Sequence, residues 1–351
     1  MTSRERFFAC MNRTRPDRPP MGSIYGGDHV WEALKEGIGA ASDEEFLTKV
    51  GVDFRSVRPE YIGPPLQKFE DGGHECEWGV HYHRVPFEGG HYYEPFVRPF
   101  AGITTLVEAK KVRIPSPDWH DYSTLQNQID QYPDKVIVGG SMGYFDFING
   151  IGFMRGYEQV LTDIADEDPV YLYLLEKRFD YYYEMLERTL SACKGRIDVV
   201  HMGEDLGTQL APIINPAVFE KLHAPRYVAA IRLIHRYGAK AMLHSCGAVR
   251  KIIPILIDIG LDILDVVHVD AAGMALEGLL RDFGDKLVFS GTLSVQTLLN
   301  YGTPETIARE IAYRKELFRD GGIILAPCNI MQSDMPLSNF IAMCRAIGGM
   351  N

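Results

Sequence analysis

Two soft donor residues stand on alternate positions in A-K-A-M-L-H-S-C-G-A (239–248): His244 and Cys246. They follow a short apolar run that reads as a strand. On an extended chain residues i and i+2 point the same way, so the imidazole and the thiol share a face. A third donor, Cys328, ends another apolar stretch, G-I-I-L-A-P-C (322–328). One nitrogen and two sulfurs suit zinc with a fourth position open for substrate, whereas magnesium wants oxygens and iron a set of carboxylates. The plain alternative is packing, because a free cysteine often behaves as a small buried apolar residue.

Other polar residues gather at comparable places. H-M-G-E-D-L-G-T-Q (201–209) supplies His201, Glu204 and Asp205 as candidate catalytic groups. Glu204 and Asp205 are adjacent and face opposite ways, so the two do not share one task; one is a candidate fourth ligand or substrate contact, and a helix N-cap or a solvated loop is the plain alternative. His201 is either an inward-facing functional group or a packed histidine. Tyr25, Arg55, His268 and Asp270 are the candidate substrate-binding residues. His268 and Asp270 share a face, and either support for a ligand or a loop cap would explain them. Gln332 and Asp334 follow Cys328 and are placed to orient its loop.

The elements that must carry these residues are short and apolar. Strand candidates are 21–25, 51–57, 135–142, 197–205, 239–246, 262–269, 287–293 and 322–328. Helical stretches lie between most of them. Start signals include a capping box at Thr2 and Glu5, Ser42 ahead of an acidic turn, Asn215 before Pro216, and Thr303 before Pro304. This alternation predicts an α/β fold, a TIM (β/α)8 barrel whose chemistry sits at the C-terminal strand ends; a doubly wound sheet is the fallback. No G-x-G-x-x-G or Walker pattern follows a strand, so a nucleotide site has no support. Between about residues 60 and 130 the rhythm breaks. E-C-E-W-G-V-H-Y-H-R-V (75–85) and G-G-H-Y-Y-E-P-F-V (89–97) alternate like strands and predict an N-terminal β-rich insertion or lid within one domain, 1–351. Its Trp78, Tyr82, Tyr92 and Tyr93 either cover a small organic substrate or pack the insertion. His74, His81, His83 and His91 raise a second metal site, with polar surface as the alternative.

Composition narrows the class. The 351 residues are 46% hydrophobic and 24% charged, which suits a soluble globular chain with a large core. A net charge of -11 offers no basic footprint, so nucleic acid is not an expected partner. No run of about 18 apolar residues suggests a membrane span. M-T-S-R-E-R-F-F places charges where a signal peptide would be apolar. The six cysteines, Cys10, Cys76, Cys193, Cys246, Cys328 and Cys344, are scattered, unlike a disulfide framework. A cytoplasmic location with thiols rather than disulfides is expected.

Longer stretches carry a resemblance. L-H-S-C-G-A-V-R-K-I-I-P-I-L-I-D-I-G-L-D-I-L (243–264), F-S-G-T-L-S-V-Q-T-L-L-N-Y-G-T-P-E (289–305) and I-L-A-P-C-N-I-M-Q-S-D-M-P (324–336) closely resemble the uroporphyrinogen decarboxylase-like superfamily. S-R-E-R-F-F-A-C-M-N-R-T-R-P-D-R-P-P (3–20) has the same look. The resemblance spans essentially the whole chain, is most specific from residue 197 onward, and implies a TIM barrel. Decarboxylases of this superfamily work without a metal and carry an R-Q-A-G-R-Y-type segment for substrate carboxylates. This chain has V-R-P-E-Y-I-G (57–63) near that point, which does not match. Methyltransferases of the other branch carry His-x-Cys and a distant Cys as zinc ligands, here His244, Cys246 and Cys328. That branch implies Zn2+ as cofactor and a corrinoid protein as methyl carrier. Without a D-x-H-x-x-G cobalamin motif in this chain, the corrinoid belongs to a separate partner. The other reactant implied is a small molecule, a thiol acceptor or a methoxylated compound. The competing expectation is a metal-free decarboxylase of uroporphyrinogen or a related polyacid. It needs an arginine-lined cleft, for which Arg55 and Arg58 are the early candidates.

Overall fold

Strands buried on both faces read as continuous apolar runs, and such runs form the centre of this molecule. The computed structural model describes residues 1–350. Seven strands build one sheet: β1 (Phe54–Ser56), β2 (Val136–Phe145), β3 (Val199–Gly203), β4 (Lys240–His244), β5 (Ile263–Asp265), β6 (Val288–Ser290) and β7 (Ile323–Ile324). They lie side by side in chain order, every pair parallel. Helices such as Pro169–Ala192, Ala224–Arg236 and Pro304–Leu317 intervene, as parallel crossovers require. The sheet is curled, consistent with a TIM-like barrel.

The expected strand at 21–25 is reduced to isolated bridges, Met21 with Leu325 and Gly26 with Met331. Pro19 and Pro20 have no amide proton, which leaves the segment short of ladder donors. It nevertheless touches both edges of the sheet. Gly22 N donates to Leu325 O (2.9 Å), Leu325 N to Pro20 O (2.9 Å), and Asp53 N to Met21 O (3.0 Å). The Asp53 carboxylate, only 1% exposed, gathers this seam. It accepts from Ser3 Oγ (2.7 Å), Arg6 Nη1 (2.7 Å), Arg18 Nη1 (2.8 Å) and Met21 N (2.8 Å).

Between β1 and β2 run two small antiparallel sheets. One pairs Glu60–Tyr61 with His120–Asp121; the other joins His74–Glu75, His81–Phe87 and Gly90–Val97. The remainder of that stretch is loop and short helix, Leu106–Ala109 and Leu125–Asp130. The sheet strands are shorter than their apolar runs. The run at 262–269 yields only Ile263–Asp265; Val266 and Val267 are buried in the following loop, with a single backbone bond from Val267 N to Ser290 O (2.8 Å). Helix starts follow their chemistry. Thr2 and Glu5 form a reciprocal capping box, and Ser42, Asn215 and Thr303 each accept an amide of the next turn. Among the described residues, no helix is long and apolar enough to cross a membrane.

Candidate functional site

Sheet register sets one row of residues across the C-terminal strand ends. Gly203 lies opposite His244, His244 opposite Asp265, and Asp265 opposite Ser290. Asp265 is therefore flanked on both sides. Ser290 Oγ donates to its Oδ1 (2.7 Å), and His244 Nδ1 lies 3.3 Å from its Oδ2. His201, two residues before Gly203, is deeper in the barrel. Its Nε2 stands 3.2 Å from the same Oδ2, out of hydrogen-bond alignment. Its Nδ1 is 3.5 Å from the Tyr25 hydroxyl. Burial works against the Asp265 charge, yet the two imidazoles outweigh it and hold the carboxyl well below the usual range. Burial likewise opposes a charged His244, but its bonds to Asp265 and Cys246 keep its pKa well above the ordinary 6.5. The Tyr25 phenol is raised by burial and then by Asp265, so it stays protonated.

Beyond the end of β4 the chain stays extended, Ser245 N donating to Asp265 O, and Cys246 lies on the same face as His244. His244 Nε2 stands 3.5 Å from Cys246 Sγ and 3.7 Å from Asp205 Oδ1. Asp205 is fixed by Cys246 N on Oδ1 (3.0 Å) and by Asn149 Nδ2 on Oδ2 (2.8 Å). Asn329 Nδ2 donates to Cys246 Sγ (3.3 Å). Two glycines allow the loops after β3 and β4 to meet backbone to backbone. A Cβ on Gly207 would lie 2.5 Å from Cys246 O, and one on Gly247, at φ +83°, 2.5 Å from Gly207 O.

Among the described residues, two groups of donors have ligand atoms within 4.8 Å of one another: Asp205, His244 and Cys246, and His201, His244 and Asp265. The first group fits zinc. With Zn–N near 2.05 Å and Zn–S near 2.3 Å, a tetrahedral site sets nitrogen and sulfur about 3.5 Å apart, the separation found here between His244 and Cys246 (3.5 Å). The bond from His244 Nδ1 to a carboxylate frees Nε2 for a metal, the usual support for such a ligand. Cys328 stands outside both groups, fully buried, with its amide on Leu293 O (2.8 Å). Burial, and after it the charges of Asp270 and Cys246, push its thiol up to about 12.

Several expected site residues have other partners. Arg55 is turned outward to helix Asp43–Val50. Its donors go to both Glu44 carboxylate oxygens (2.6 and 2.8 Å), to Thr48 Oγ1 (3.2 Å) and to Val52 O and Phe54 O, which uses all five N–H groups of a guanidinium. Arg58 is exposed, its amide bonded to Gln128. Glu204 is fully buried on the side away from Asp205. It accepts Phe147 N (3.1 Å), Ile148 N (2.9 Å) and the Tyr227 hydroxyl (2.9 Å), and so caps helix Phe147–Arg155 rather than facing the opening. Asp270 is exposed and ties Ser294 and Thr297 (3.1 Å) of the loop after β6. Asp334 likewise takes Asn300 (2.7 Å), while Gln332 is exposed. His268 is buried, and neither ring nitrogen finds a partner. The histidines of the 74–91 stretch do not assemble. His83 pairs with Asp71 (2.8 Å), His91 with Arg84 (3.2 Å), and His74 and His81 pack against aromatic rings. Sequence reasoning missed the roles of Asn149, Asn329 and Asp265. An amide on a loop carries no signature, whereas Asp265, closing its apolar run next to the His244 strand, carried one.

The profile of the family described as Uroporphyrinogen decarboxylase (URO-D) matches residues 136–350. A search of curated protein sequences returns no match. Among solved structures, a methyltransferase from Methanosarcina mazei superposes with a TM-score of 0.66 at 17% identity, covering 99% of this chain and 98% of that one. A 3-keto-D-glucoside 4-epimerase from E. coli gives 0.40 at 12% identity, covering 64% and 83%. At these identities the likeness speaks to the fold, and only the first superposition is close enough to do so.

Proposed function

The chain belongs to the uroporphyrinogen decarboxylase family, and from that premise we propose that it is a zinc-dependent methyltransferase. It moves a methyl group between a small, methoxylated substrate and a corrinoid held by a separate protein. The observation that carries this reading is the convergence of His244 Nε2, Cys246 Sγ and Asp205 Oδ1 at the strand ends, within 4.8 Å of one another, with the nitrogen and sulfur 3.5 Å apart as a tetrahedral zinc sets them. The methyltransferase from M. mazei, whose fold this chain shares over 99% of its length, is consistent with it in type. Zinc bound there supplies a Lewis acid for an ether oxygen, or a charge that holds a thiolate at neutral pH.

The chain's own residues have distinct tasks. His244 and Cys246 hold the ion. Asp265 orients His244 and fixes which ring nitrogen faces it. Asp205 is the nearest oxygen donor and completes a third position, leaving room for Cys328 or substrate at the fourth. A thiol raised to about 12 is protonated at neutral pH, so Cys328 becomes a ligand only through the charge of the metal. Tyr25, kept neutral beside His201, is a hydrogen-bond donor for a substrate oxygen. The competing reading, a metal-free decarboxylase of a polyacid, loses its main support because every donor of Arg55 is engaged.

The test is transfer itself. Zinc-loaded protein is incubated with a reduced corrinoid protein and a panel of methoxylated compounds, and the corrinoid absorbance is followed. Transfer at the native site, reduced at least about 100-fold in His244→Ala, supports the proposal. Undiminished transfer by that variant, or by protein stripped of zinc, would overturn it.

A further inference from the structure

Between the three-stranded antiparallel sheet and helices Phe147–Arg155 and Pro169–Ala192 lies a cavity of about 450 Å3, within the range of small-ligand pockets. Much of its wall is aromatic or apolar, with Trp78, Tyr82, Phe153 and Tyr182 among the lining residues. Part of its polar lining is unpaired. Asp146 Oδ1, His120 Nδ1 and Trp78 Nε1 are all buried without a hydrogen-bond partner, and all three residues line this one cavity. Asp146 and Trp78 are only 8% and 5% exposed. Buried polar atoms are nearly always satisfied, so three orphans around one space call for an occupant that both donates and accepts.

The partners already present say what that occupant offers. His120 Nε2 lies 3.2 Å from Glu77 Oε2, which only accepts, and 2.9 Å from the Tyr181 hydroxyl; with the proton on Nε2 to serve Glu77, Nδ1 is an acceptor. Asp146 Oδ1 is a second acceptor and the Trp78 indole a donor. Arg178 spends Nε on Phe145 O and Asp146 O (3.0 Å) and Nη2 on Gly143 O (2.9 Å). Its guanidinium stacks 4.8 Å from the Tyr182 ring centroid and 5.5 Å from that of Trp78. A hydroxyl group donates and accepts at once and so meets both needs. Glu75, Glu77 and Asp146 outnumber Arg178 in the lining, which disfavours an anionic ligand. A sugar would leave most of its hydroxyls facing apolar wall.

We propose that this cavity binds a small, uncharged aromatic molecule bearing a hydroxyl group, its ring against the aromatic wall and its hydroxyl donating to Asp146 Oδ1. The Asp146–Gly150 turn forms one wall of the cavity, and Asn149 of the same turn holds Asp205 (2.8 Å). Asn149 thus links the cavity wall to the loop that bears Asp205, and the proposal does not depend on metal at the His244–Cys246 cluster.

Calorimetric titration of the full chain with phenol, cyclohexanol, benzoate and glucose tests it. Phenol is expected to bind saturably, at least about tenfold tighter than the other three. Gly143 lines the cavity, and a Cβ there would meet nothing nearer than Ser141 Oγ at 3.6 Å. Gly143→Leu therefore fills the space and abolishes phenol binding, while unchanged melting temperature and zinc content show an intact fold. Asp146→Asn, which keeps the shape and removes the charge, weakens phenol about tenfold and serves if Gly143→Leu fails to fold. Absence of saturable phenol binding, equal affinity in both variants, or tighter binding of glucose or benzoate would overturn the proposal. Phenol binding that persists in zinc-free protein supports it even if the metal reading fails.

Discussion

Asp265 is the residue on which the candidate centre turns, because it is the common neighbour of His244, His201 and Ser290. Asp265→Asn keeps its shape but removes the charge that orients His244. Zinc affinity, read by competition with a chromophoric chelator, is predicted to fall about 10- to 100-fold. Equal affinity would remove Asp265 from the account. The same geometry sets a pH dependence. Metal needs a neutral imidazole, and His244 holds its proton well above pH 6.5. Zinc affinity should therefore rise with pH through and beyond the ordinary histidine range, by about tenfold per unit for each proton released. A flat profile between pH 6 and 8 would contradict the protonated state assigned here. At this scale the sequence was partly legible. The spacing of His244 and Cys246 announced their pairing, and the two side chains do meet on one face. Arg55 misled because charge at a strand end does not reveal which face carries it; the helix bearing Glu44 took that face.

Helices and loops explain why adjacent carboxylates part company. Glu204 sits at the start of helix Phe147–Arg155, where its oxygens meet two backbone amides, while Asp205 turns to Cys246. Burial and the nearby Asp146 raise the Glu204 pKa from 4.5 to about 8. A carboxyl whose folded pKa is raised gives its full stability below the unfolded value, and stability falls as pH climbs toward the folded one. Native protein should thus lose stability between about pH 4.5 and 8, and Glu204→Gln should flatten that slope; parallel melting curves in the two proteins would refute this. Between the loops, Gly247→Ala adds a Cβ at φ +83° and 2.5 Å from Gly207 O. It should cost at least about 1 kcal/mol and loosen zinc by separating Cys246 from Asp205; an unchanged melting temperature would show that the loops do not need this approach. Element types were legible from apolar periodicity and caps. Strand lengths were not, since buried loop residues such as Val266 and Val267 are as apolar as ladder residues.

At the scale of the molecule, the sheet's two edges meet through the Pro20–Gly22 segment, and Asp53 ties that seam to Arg6 and Arg18. Removing one partner of a buried ion pair strands the others, so Asp53→Ala should cost about 3 to 5 kcal/mol in urea unfolding. A loss under about 1 kcal/mol would show that the seam does not depend on this carboxylate. The repeating alternation of apolar runs and helices made the barrel-like order readable. The segment joining the edges was harder, because prolines erase the ladder that defines a strand. The stretch between β1 and β2 announced its antiparallel strands by alternation, but no pattern in one sequence could reveal the cavity folded beneath Trp78 and Tyr82. The central claim is that the strand ends hold a metal. It is tested most directly by zinc content, measured by mass spectrometry on protein reconstituted under reducing conditions. About one zinc per chain, lost in a His244→Ala, Cys246→Ser double variant that remains folded, is the predicted result. No zinc in the native chain, or an equal amount in the variant, would contradict it.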